Sequence, residues 1–175
     1  MQQFLYPGQI LLADHERIDK LLGQVIQVLD STSPEALSSS GRFRAFDDSG
    51  PQSQRDPTLK IRHLWLEIEE GLTNHLATEE AFLFGLFRTV DMREAMVLQA
   101  EHQHIRASLT ELTAGVVTRP EILRRFLADL TAHSRREDAL LYRWSNQYVQ
   151  PQTTEMIRTR LQRTFKELGN TVVTM

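Results

Sequence analysis

The sequence predicts an all-α chain: an up-down-up-down four-helix bundle with an additional C-terminal helix. Apolar residues recur at spacings of three and four along most of the chain, the period of a helix with one buried face. Glycine and proline, eight and six among 175 residues, fall mostly where that pattern breaks. Two pairs of stretches also repeat one another, as expected of two helix hairpins of one design.

The first helix is expected from about Gln9 to Asp30, where Ile10, Leu11, Ile18, Leu21, Leu22, Val25 and Leu29 form one stripe. From Ser31 to Pro57 the composition turns to Ser, Gly, Pro and Asp, a long polar connection expected to be a mobile linker or a functional flap. Asp56 as cap and Pro57 at the first helical position start a second helix that continues to about Phe87. Asp91 followed three residues later by Glu94 has capping-box spacing and opens a third helix, which Gly115 stops. Pro120 opens a fourth and Pro151 closes it. A last amphipathic segment, with Met156, Ile157, Leu161, Phe165 and Leu168, is expected to end near Gly169 and to pack on the outside of the bundle.

The length and a hydrophobic content of 41% suit one domain with a proper core. The expected division is a bundle over residues 1–150, including the 31–57 loop, and a C-terminal helix and tail over 151–175. Lys+Arg 20 against Asp+Glu 23 provides no basic field for nucleic acid or anionic lipid. With no cysteine, thiolate catalysis, disulfides and Cys-ligated clusters are excluded, so any metal must use His and carboxylate. Met1 to Leu12 lacks basic residues and a small-residue cleavage site, and no run approaches membrane-spanning length, so the expected location is cytoplasmic.

The repeat carries the chemistry. His75-x-x-x-Glu79-Glu80-Ala81-Phe82-Leu83-Phe84 and His133-x-x-x-Glu137-Asp138-Ala139-Leu140-Leu141-Tyr142 share the frame His-x-x-x-Glu-acidic-Ala-apolar-Leu-aromatic. Asp14-His15-x-x-Ile18 and Glu101-His102-x-x-Ile105 share acidic-His-x-x-Ile. Residues four apart lie about 40° apart around a helix, so each His-x-x-x-Glu points to one side. Imidazole and carboxylate are ligands for iron, manganese or zinc, and a Glu can bridge two metals, so His15, His75, His102, His133, Glu79 and Glu137 form a natural dinuclear set. One His, or one solvated His–Glu pair, is unremarkable on a helix. Two copies in a longer shared frame with two further histidines are not expected by chance.

His104 lies about 200° from His102, and His63 about 120° from His75, so neither is expected at the site. Asp14, Glu80, Glu101 and Asp138 lie about 100° from a neighbouring ligand, which suits surface charge or, less so, contact with a ligand. Phe82, Phe84, Phe87, Tyr142 and Trp144 read as core, with Phe82 and Leu141 as candidates to line a dry ligand pocket.

Asp14-His15-x-x-Ile, His75-x-x-x-Glu79-Glu80, Glu101-His102-x-x-Ile-Arg106 and His133-x-x-x-Glu137, in this order, resemble the hemerythrin-like or HHE cation-binding domain over roughly residues 9–146. Ferritin-like di-iron bundles differ, placing the acid first as Glu-x-x-His. The resemblance implies two Fe ions with an oxo or hydroxo bridge, Mn or Zn remaining open. His15 and His75 would ligate one ion, His102 and His133 the other, and Glu79 and Glu137 would bridge them. Oxygen-carrying hemerythrins have a fifth His where this chain has Arg106; the Pro common after the Phe84 position is Gly85, so the second helix is expected to run on. The remaining set resembles bacterial hemerythrin-like proteins, including di-iron proteins implicated in repairing iron–sulfur clusters. The resemblance therefore implies a small ligand, dioxygen, nitric oxide or peroxide, and three readings: a protein that binds or senses a diatomic, a di-iron oxidoreductase, or an iron donor in stress repair.

Overall fold

A computed structural model of the chain describes residues 6–32, 57–113 and 120–171, with side chains of the last stretch over 121–162. Helix α1 is Pro7–Ser31. Helix α2 starts as Pro57–Glu79 and continues through a π turn, Glu80–Phe84, into Gly85–Phe87. Helix α3 is Met92–Thr113. Helix α4 starts as Pro120–Glu137 and continues through a second π turn, Asp138–Tyr142, into Arg143–Tyr148. Helix α5 is Pro151–Thr171. The described residues contain no strand.

Local chemistry explains most boundaries. Pro7 occupies the first position of α1, where its missing N–H costs nothing, so the helix starts two residues before Gln9. The capping box at α3 is half formed: Asp91 Oδ1 accepts from the Glu94 N–H at 3.0 Å, whereas the Glu94 carboxylate turns to Arg136. Gly85 is helical, and α2 runs on past it as expected. Helix α5 extends through Thr171, past Gly169. The expected stop at Gly115 and nearly all of the 31–57 connection lie outside the described residues.

Around the bundle α1 packs on α2, α2 on α3, α3 on α4 and α4 on α1, while α5 crosses α1 and α2. The apolar core is split in two. One cluster joins Ile18, Leu22, Ile68, Leu72, Ile105, Leu109, Phe126 and Leu130 among others. The second joins Leu11, Leu83, Phe84, Leu98, Leu141 and Tyr142 with Ile157 and Leu161, so α5 lies outside the four helices yet closes one end of their core. Between the clusters the inward positions are His15, His75, Glu79, His102, His133 and Glu137, all buried.

Gly8 lets α1 approach α4 closely. A Cβ there would stand 2.7 Å from Tyr142 Cβ and 2.9 Å from the Tyr142 carbonyl oxygen. The Gly8 N–H donates to Asn146 Oδ1 at 2.8 Å. The contact holds α1 against the π turn that carries Tyr142.

Candidate metal centre

The six polar residues at mid-bundle converge, each from the helix the sequence assigns it to. Glu79, His102, His133 and Glu137 present donor atoms that all lie within 4.8 Å of one another, and so do His15, His75 and Glu137. Glu137 belongs to both groups. Its Oε1 is 3.2 Å from His102 Nε2 and 3.1 Å from His133 Nε2, and its Oε2 is 3.5 Å from His15 Nε2. Glu79 Oε2 stands between His75 Nε2 at 3.5 Å and His102 Nε2 at 3.4 Å.

Three imidazoles are held from behind. His75 Nδ1 pairs with Asp14 at 2.8 Å, His102 Nδ1 with Glu80 at 2.9 Å and His133 Nδ1 with Glu101 at 2.9 Å. With Nδ1–H donating to a carboxylate, the neutral ring has its lone pair on Nε2, which faces the two buried glutamates. Arginines extend two of these pairs outward. Arg106 forks both Glu80 oxygens at 2.7 and 2.9 Å, and Arg136 donates to Glu101 at 3.0 Å.

Surface charge, the favoured expectation for the four flanking acids, is thus corrected for Asp14, Glu80 and Glu101; Asp138 alone is exposed and fits it. They lie about 100° around their own helices from a ligand, and in a four-helix square that flank faces the neighbouring helix as well as water. His63 and His104 are exposed, and His104 pairs with Asp129 across the surface at 3.3 Å. Phe82 is partly buried with the Arg160 guanidinium 6.0 Å from its ring, so it faces α5; Leu141 is buried in the second apolar cluster.

Tyr142, read as core, places its hydroxyl inside the polar cluster. It donates to Glu79 Oε1 at 2.7 Å and lies 3.4 Å from Glu137 Oε2. In a regular helix Tyr142 would lie about 140° from Glu137. The π turn between them, with its i→i+5 bonding, brings the two to one face. The available sequence signal was the hydroxyl itself: the repeat has Phe84 at the matching position.

The electrostatics are those of protons doing a cation's work. Burial opposes charge on His75, yet Glu79 and Asp14 outweigh it and hold the imidazole well above its usual range. Burial likewise opposes charge on His102, and Glu137 with Glu79 raises it to about 9. His133 is raised against its burial by Glu137 and Glu101. His15, with no carboxylate at Nδ1 among the described residues, is pushed down to about 3 by burial and by His75. Glu79, despite burial, is held well below its usual range by His75 and His102.

The donor set fits metal. Glu79 Oε2 and His133 Nε2 are buried without a hydrogen-bond partner, a costly state for polar atoms that a cation between them relieves. Imidazole nitrogens and carboxylates at this density suit first-row metals.

A helical bundle that gathers buried imidazoles and carboxylates between two apolar clusters has the design of a metal-binding bundle protein. Residues 7–145 match the hemerythrin HHE cation binding domain, and the chain belongs to that family. Neither a curated protein nor a solved structure matches it. No helix among the described residues is long and apolar enough to cross a membrane.

Proposed function

We propose that this is a non-haem di-iron protein that binds or senses a small diatomic ligand, dioxygen or nitric oxide. In this reading His15 and His75 hold one iron, His102 and His133 the other, and Glu79 and Glu137 bridge them. One observation carries it: Nε2 atoms oriented by carboxylates at Nδ1 surround two buried glutamates, one of which offers Oε1 to His102 and His133 and Oε2 to His15. An iron pair supplies the Lewis acidity and the electrons that such a ligand takes up.

The chain's own residues support a small ligand. Arg106 stands where oxygen carriers have a fifth imidazole and commits its guanidinium to Glu80, so that position contributes no further nitrogen. Leu83, Phe84, Leu98 and Leu141 are buried in an apolar cluster, surroundings that disfavour an ion more than a small uncharged molecule. The test is metal analysis with an optical spectrum of anaerobically purified protein, before and after air and nitric oxide. About two irons per chain and a spectrum changed by either gas are expected. A single tetrahedral zinc, or an iron pair indifferent to both gases, overturns the proposal.

The Tyr142 hydroxyl favours a second reading, a di-iron oxidoreductase that reduces peroxide, dioxygen or nitric oxide with an external reductant, because, as long as it is not itself bound to metal, it puts a proton donor within the cluster. Sustained peroxide turnover selects this reading, and reversible oxygenation over repeated cycles selects the first.

A further inference from the structure

We infer that Tyr142 is a seventh ligand, its phenol oxygen joining His15, His75, Glu79 and Glu137 on one metal of the pair. The inference rests on the dinuclear reading above and makes its two halves unlike.

The position of the oxygen carries the argument. Tyr142 Oη lies 3.3 Å from His15 Nε2, 3.4 Å from His75 Nε2, 2.7 Å from Glu79 Oε1 and 3.4 Å from Glu137 Oε2. A phenol that only needed an acceptor would be satisfied by Glu79. This one is also ringed by three other donor atoms. Ligands at about 2.0–2.2 Å from a metal stand roughly 3 Å from one another at adjacent octahedral corners, and these separations scatter about that value. The oxygen therefore sits where a corner of the same coordination polyhedron would be.

The backbone is built to deliver it. The π turn at Asp138–Tyr142 rotates Tyr142 onto the face of Glu137, and the close approach at Gly8 holds the main chain of that turn. The other half has the same turn without the hydroxyl. At the matching position Phe84 lays its ring 4.7 Å from that of His102. The metal of His15 and His75 thus receives an added oxygen, the metal of His102 and His133 receives none, and the small ligand is directed to the latter. Ligation is balanced by loss of the phenol proton to solvent, the oxygen donating its electron pair to the metal with nothing oxidised or reduced.

The experiment uses the full chain, loaded with ferrous iron, oxidised in air and studied by visible absorption and resonance Raman. Of the three tyrosines, Tyr6 and Tyr148 are exposed, so tyrosinate ring modes enhanced in an iron charge-transfer band can come only from Tyr142. We expect those modes in the wild type and in Tyr148→Phe, and their loss in Tyr142→Phe when the spectra are scaled to the iron each variant holds. Two bound irons without a tyrosinate signature, or a signature that survives in Tyr142→Phe, overturns the inference and leaves the dinuclear reading standing. Failure of the wild type to hold two irons overturns that reading, and the inference with it. The wild-type spectrum decides by itself if Tyr142→Phe does not fold.

Discussion

Replacing Gly8 by Ala tests the packing that holds Tyr142 in place. The added Cβ would stand 2.7 Å from Tyr142 Cβ, 2.8 Å from Asn146 Oδ1 and 2.9 Å from the Tyr142 carbonyl oxygen, against about 3.5–4.0 Å for comfortable carbon contacts. Asn146 can swing aside; the Tyr142 atoms cannot, because they belong to or adjoin the main chain of α4. The helices must therefore part, which puts the cost in the upper part of the range for overpacking, about 2–3 kcal/mol. Alanine returns at most about 1 kcal/mol through helix propensity. The net loss of about 1–2 kcal/mol corresponds to a fall in Tm of roughly 2–8 °C in a chain of this size. Gly23 is the internal control: it lies within α1 with nothing within 4 Å of its added Cβ, so Gly23→Ala should gain about 0.5–1 kcal/mol and raise Tm by roughly 1–4 °C. Thermal unfolding followed by circular dichroism on metal-free protein measures both. A Gly8→Ala variant as stable as the wild type, or two variants that shift together, would mean that the contact at Gly8 does not limit how closely α1 and α4 pack.

Glu79→Gln and Glu137→Gln should lose one metal or bind the pair far more weakly, whereas exposed Asp138→Asn should keep two; metal analysis after dialysis reads the difference. Glu80→Gln should weaken metal binding by about 10–100-fold in a chelator competition, since it orients His102, and an unchanged affinity would show that the pairing has no such role. His63→Ala and His104→Ala should hold wild-type metal, both being exposed; loss comparable to that of His102→Ala would assign the ligands wrongly. Metal-free protein should be most stable somewhat below pH 6.5, because the three raised imidazoles His75, His102 and His133 together outweigh the depressed His15 at that pH. His102, raised to about 9, contributes stability that is complete below 6.5 and lost as pH rises through 9. His15, depressed to about 3, stays neutral while the unfolded chain takes up a proton below 6.5, and Glu79, depressed by its imidazoles, loses its contribution in acid. Melting curves across that range should show the alkaline loss disappear on metal loading, because metal replaces the His102 proton.

The helices and the candidate donors were legible in the order of the amino acids. Both depend on local regularities: an apolar period read along one segment, and a fourth-residue spacing that puts His75 with Glu79, and His133 with Glu137, on one face wherever the helix is placed. The repeat extended this to His15 and His102, because equal frames fold into equal hairpins. Two things were beyond it. Asp14, Glu80 and Glu101 sit on the flanks of their own helices, and only the axial register and rotation of neighbouring helices turn those flanks toward His75, His102 and His133. Tyr142 depends on the second π turn, which resets the phase after Glu137; a constant 100° per residue carries the tyrosine away from the site, and the tertiary packing of α1 on α4 at Gly8 holds the turn that brings it back.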